Sequence, residues 1–201
     1  MTRRKPEKLR AQSVHVLWHF RQLLAMAEHL QRRHDEGVSV LALPLDAAAL
    51  EAFCVPARAL IEFLWRDRKE RDDPRPKPRR ENAVAADWFA SGEWAYEAEL
   101  PNEVRDVGAR TGWGVAHISY DRLSERKVEA WDFVDIAHRI SHRFACFAAD
   151  VDPALVAGHF RAEVDRLITD WRAQLPFALI GTPEYPSASP SDPGLWSGLA
   201  I

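Results

Sequence analysis

The sequence predicts an all-α protein, a helical bundle of about five helices with a charged, proline-rich loop and an extended C-terminal tail. Three observations predict it. Apolar residues recur at helical spacing through several long stretches, which puts them on one face of a helix that advances about 100° per residue. No convincing stretch shows the period-two alternation of a half-buried strand. Prolines mark two places outside those stretches: Pro74, Pro76 and Pro78 in a charged run, and Pro183, Pro186, Pro190 and Pro193 near the end of the chain. With 201 residues, 47% of them hydrophobic, the chain can bury one substantial core. The expected organisation is a flexible basic N-terminus over 1–12, a single bundle domain over 13–175 with a charged loop insertion at 66–82, and a Pro/Ser-rich tail over 176–201.

The first helix is expected over 13–34, where Val16, Phe20, Leu23, Ala27 and Leu30 lie within about 40° on either side of one line. Leu17 and Leu24 widen that stripe, and Gly37 is a suitable stop. A second helix begins near Pro44 and Asp46 and buries Leu50, Phe53, Cys54, Ala57, Leu60, Ile61 and Leu64. Pro56 sits in its middle and is expected to bend it or to remove one hydrogen bond. Glu51, Arg58 and Glu62 run along one flank, about a quarter turn from the core line. Residues 66–80 alternate charges between three prolines and read as a loop. Residues 83–89 read as a short helical turn, and Trp88, Phe89, Trp94 and Tyr96 as an aromatic cluster covering one end of the core. Pro101 suits a helix start, Gly108, Gly112 and Gly114 interrupt the next turns, and the helix firms over 115–123. A fourth helix over 128–149 buries Phe133, Ile136, Ala137, Ile140, Phe144, Phe147 and Ala148. The fifth opens with Asp152 as N-cap and Pro153 as first helical residue, then buries Val156, Phe160, Val164, Leu167 and Trp171.

A formal net charge of −3 argues against a protein that coats nucleic acid or an anionic membrane with its whole surface. Cys54 and Cys146 each lie in an apolar helical context, so both are expected as buried free thiols rather than a disulfide. No apolar run approaches the roughly 20 residues needed to cross a bilayer. The first residues lack the apolar centre of a signal peptide. A cytoplasmic protein without membrane association is expected.

The chemistry-bearing stretch is Arg110, six residues, then His117. On a continuous helix the two side chains would project about 20° apart with about 10 Å of rise between them. An always-charged guanidinium binds a phosphoryl group, and an imidazole moves a proton near neutral pH. The plain alternative is a surface arginine and a histidine hydrogen-bonded within the bundle.

A helical bundle in which an arginine is followed four to six residues on by a histidine resembles the HEPN superfamily (higher eukaryotes and prokaryotes nucleotide-binding domains). Many of its members are metal-independent ribonucleases of toxin, antiphage or RNA-processing systems. The resemblance spans the motif and the helices around it, roughly the second to the fourth. It implies a homodimer whose two-fold interface brings Arg110 and His117 pairs together over RNA, with His117 as general acid or base and Arg110 on the scissile phosphate. It also implies that a regulatory protein partner could hold the enzyme inactive. Thr111 follows the arginine where active members usually carry Asn, Asp or His, and Gly112 and Gly114 intervene. The alternative is a non-catalytic dimeric module of the same fold that binds a protein partner or nucleic acid, with Arg139, His138 and His142 in its interface.

Glu62 is a candidate to orient Arg110 or His117, with Arg58 adding charge at the same site; the competing reading is an exposed helix pair of the two at a spacing of four, which is favoured for Arg58 and evenly balanced for Glu62. Arg75, Lys77, Arg79 and Arg80 form an acid-free basic run able to contact RNA phosphates, as does the opening run from Arg3 to Arg10; plain solvation is the competing reading. His15/His19 and His138/His142 have the four-residue spacing that lets two rings reach one metal. His138 and His142 lie opposite the apolar face of their helix, on a surface that meets solvent or a partner. No Glu-x-x-His repeat accompanies them, and no metal or other cofactor is expected.

Overall fold

The structure, a computed structural model, describes residues 4–38, 44–65, 83–89, 94, 100–102, 104–105, 107 and 131–174. Of these, 83% are helical, in four α-helices and shorter turns with no strand among them, so the protein is an all-α helical bundle. The helices are α1 (Pro6–Asp35), α2 (Pro44–Trp65), α3 (Phe133–Asp150) and α4 (Phe160–Gln174), with 3₁₀ turns at Ala85–Trp88 and Pro153–Leu155. The expected loop at 66–82, the helix at 115–123 and the tail at 176–201 fall outside the described residues.

Helix α1 begins at Pro6, seven residues before the expected position, so 6–12 are helix rather than a flexible basic arm. The cause is local and tertiary together. Pro6 presets the helical φ where no amide partner is needed. Leu9 is buried, and Arg10 Nε donates to the Ala154 carbonyl at 2.6 Å. At the other end Arg32, Arg33 and His34 complement the helix dipole. The chain then turns through Gly37 at φ 70°, a left-handed conformation that costs a residue with a Cβ.

Arg33 grips Asp46 through two hydrogen bonds of 3.1 Å, tying the end of α1 to the start of α2 and making the two antiparallel. Asp46 is buried, and its bonds to Arg33 hold its carboxyl below the usual carboxylate range. Helix α2 runs on through Pro56, which is itself buried between core residues. The packing of Phe53, Cys54, Ala57 and Leu60 around it offsets the missing hydrogen bond.

Phe53 meets Phe133 at 5.3 Å and Phe63 meets Phe147 at 5.0 Å, so α2 and α3 run parallel. Parallel neighbours need a long crossover, which residues 66–132 supply. Asp132 caps α3 by accepting from the Asp135 amide at 2.7 Å. The helix therefore begins at Phe133, five residues after the expected start at 128, because Asp132 is extended and caps it.

The fifth helix expected from the sequence is broken in two. Asp152 caps only the short Pro153–Leu155 turn, accepting from the Ala154 amide at 2.9 Å, and α4 starts at Phe160. A continuous helix would need the Leu155 carbonyl and the Ala157 amide for its own ladder. Both are committed elsewhere: Trp88 Nε1 donates to the Leu155 carbonyl at 3.0 Å, and the Ala157 amide donates to Ser13 Oγ at 3.0 Å. The apolar stripe of α4 is accordingly Phe160, Val164, Ile168 and Trp171, with Leu167 only half-buried.

Helix α4 runs back antiparallel to α3, with Arg161 donating to the Ala148 carbonyl at 2.9 Å, and parallel to α1. Arg21 of α1 and Arg166 both hold Glu163, and those hydrogen bonds, Arg166 first, bring its carboxyl down to about 2. The topology is up, down, down, up. Its centre is aromatic: Phe147 packs against Phe63, Trp88, Phe89, Trp94, Phe144 and Phe160, and Phe20 lies 4.3 Å from Phe144. Trp88 is therefore part of the core, while Phe89 and Trp94 stack beside it at 6.1 Å; Tyr96 lies outside the described residues. Val104 and Val107, on the short helical stretch after Pro101, complete the core. No described helix is long and apolar enough to cross a membrane.

Candidate functional site

Arg110 and His117 lie outside the described residues, as do Arg75, Lys77, Arg79 and Arg80. Of the expected site residues, Glu62 is described. It sits near the end of α2 and accepts from Arg58 Nε at 3.1 Å, with both side chains about a third exposed. This is the i, i+4 pair expected of Arg58, and it engages the carboxylate assigned to orienting the catalytic pair.

Cys54 and Cys146 are free thiols. Burial, and then the neighbouring Glu51 charge, pushes the Cys54 thiol up to about 12, so it is a core group and no nucleophile. Cys146 is half-buried rather than fully enclosed. Among the described residues no three His, Cys, Asp or Glu side chains converge as a metal site would require.

The more informative polar chemistry is on α3. Helical spacing alone places His138 and His142 on the face opposite the core, open to solvent or a partner. They are half-buried instead, because α4 packs along that flank. From Ala148 back to His138 is about 15 Å of helix rise, and from Arg161 forward to Arg172 is about 16 Å. The antiparallel register therefore sets Arg172 opposite His138, with His142 one turn away. Burial, and then the charge of Arg172, lowers the pKa of His138, while Asp135 pulls it the other way and Arg139 adds to the lowering. Burial also lowers that of His142, followed by the influence of His138, Arg172 and Arg143. Asp135 accepts from Arg139 Nε at 2.7 Å. On α1, burial and then His15 lower the pKa of His19.

Arg143 is a polar core residue that the sequence patterns do not single out. It is 5% exposed, its guanidinium carbon lying 4.4 Å from the Trp94 ring centroid and 5.3 Å from that of Trp65. Its Nη2 reaches the Leu64 carbonyl at 3.4 Å, at the C-terminal end of α2 where a cation is favoured. Trp94 in turn donates to Asp150 Oδ2 at 3.2 Å. A signal for this was present: Arg143 continues the helical series Ile136, Ile140, Phe147, and an arginine on an apolar stripe is a buried-charge candidate. No family model, no curated protein and no solved structure matches the chain.

Proposed function

We propose that the chain is an HEPN-like helical protein that cleaves RNA without a metal ion, acting as a homodimer in a toxin or defence setting. The observation that carries the reading is Arg110 followed after six residues by His117, in a chain whose described part is an all-α bundle. In this scheme the ribose 2′-hydroxyl attacks the adjacent phosphorus and the bond to the 5′-oxygen breaks. His117 takes the hydroxyl proton or delivers one to the leaving oxygen, and Arg110 neutralises the charge that builds on the phosphate. The products are a 2′,3′-cyclic phosphate and a free 5′-hydroxyl. The test is digestion of single-stranded RNA in chelator with the ends analysed. His117→Ala and Arg110→Ala are each expected to slow cleavage by roughly 10²–10⁴-fold with the helical content unchanged. Cleavage at the wild-type rate by a folded His117→Ala protein sinks the assignment.

A second reading, a non-catalytic module that binds a partner, is favoured by the outer face of α1. Trp18 is 55% exposed there and Val14 one turn earlier is 50% exposed, an unusual use of a large aromatic on a solvated face. It expects no RNA turnover and a defined oligomer. A strictly monomeric protein at high concentration counts against both readings.

A further inference from the structure

The end of the bundle where α3 begins and α4 finishes is rich in hydrogen-bond donors. His138 and His142 present two imidazoles at a spacing of one helical turn. Arg172 lies opposite His138 in the antiparallel register that the bond from Arg161 to the Ala148 carbonyl sets. Two indole N–H groups lie nearby in sequence on the same elements, Trp131 just before α3 and Trp171 in the last turn of α4. Both rings are buried, and neither Nε1 has a hydrogen-bond partner among the described residues. Asp135, a carboxylate of this region, is bonded by Arg139.

We propose that His138, His142 and Arg172 form an oxyanion site that takes a phosphate group. The chemistry is complementary in three respects. A tetrahedral dianion is acceptor-only, and His138, His142 and Arg172 are all donors once the imidazoles are protonated. The guanidinium supplies a permanent charge and a planar fork suited to two oxygens of one phosphate. The partial burial that disfavours protonated imidazoles in the empty protein strengthens their attraction to an anion once one is present. Anion binding and proton uptake are therefore linked, so each promotes the other. Arg139 and Arg143 add positive charge from α3, and Asp135 opposes it.

The test is to follow the ring protons of His138 and His142 by NMR while sodium sulfate replaces sodium chloride at constant ionic strength. Sulfate keeps its charge between pH 6 and pH 8, so the protein alone sets the pH dependence. Saturable shifts at both histidines are expected, with binding tighter at pH 6 than at pH 8, by no more than about tenfold for each imidazole pKa raised by one unit. Arg172→Gln is expected to weaken binding about tenfold. Should that variant fail to fold, His142→Asn carries the same expectation. Inorganic phosphate and a nucleoside 5′-monophosphate then distinguish a free anion from a phosphate ester as the better ligand. Saturable binding of either at these histidines supports the site, and failure of both overturns it. Equal shifts with chloride, or unchanged affinity in the folded variants, also overturn it. None of these readouts depends on RNA cleavage, so the site and the ribonuclease reading stand or fall separately.

Discussion

Ser13→Ala is the substitution that tests most directly how α1 is joined to the segment between α3 and α4. The Ser13 side chain is 1% exposed, donates to the Arg10 carbonyl at 2.7 Å and accepts from the Ala157 amide at 3.0 Å. The first bond is inexpensive to lose, because a helical carbonyl keeps a second acceptor site in use along its own ladder. The second is not, since it leaves a part-buried amide without a partner, at about 1–2 kcal/mol. Ser141 provides the control. It is 2% exposed and equally enclosed, but its hydroxyl donates at 2.6 Å to Ala137, one turn back in its own helix. Both serines lie within helices, so either alanine gains about 0.5 kcal/mol of helix propensity; at Ser141 this offsets the lost back-bond and the net effect is near zero, whereas at Ser13 a net cost of about 0.5–1.5 kcal/mol is left. Urea unfolding followed by far-UV circular dichroism measures both. Ser13→Ala is expected to lower the midpoint at unchanged slope and to lower the melting temperature by about 2–4 °C per kcal/mol, while Ser141→Ala stays within about 0.5 kcal/mol of the parent. Equal effects at the two serines would refute the view that the cross-chain bond, rather than a buried hydroxyl as such, is what matters.

Phe147→Ala should cost about 3–5 kcal/mol, because the ring is 1% exposed and contacts Phe63 of α2, Trp88, Trp94 and Phe160 of α4; the near-UV signal of Trp88 and Trp94 should collapse with it, and a change under 1 kcal/mol would show that the centre repacks. Acidification should destabilise the protein. His19, His138 and His142 have folded pKa values below the usual 6.5, so the unfolded chain binds more protons as pH falls through 6.5 toward the lower folded values, and stability falls with it. A stability profile flat from pH 7 to pH 5, or one whose slope is unchanged in His142→Asn, would contradict the placement of these rings.

Much of the fold was legible because helical periodicity is a local property. The stripes of Phe20, Leu23 and Leu30, of Phe53, Leu60 and Leu64, and of Phe133, Ile140 and Phe144 each lie along one helix, and each is buried as the spacing predicted. The site was less legible. The Glu62 pairing with Arg58 followed from a four-residue spacing, whereas the half-burial of His138 and His142 depends on where α4 packs, which no spacing within α3 encodes.

By itself, then, the sequence determined the all-α character of the described residues, their principal core faces, and the free state of the two cysteines. Only tertiary structure decided where α4 begins and how the N-terminus is held. Trp88 takes the Leu155 carbonyl from 67 residues away, and Ser13 takes the Ala157 amide from 144 residues away. Backbone groups engaged across such separations leave the local ladder, and a helix that looks continuous in sequence stops for want of them.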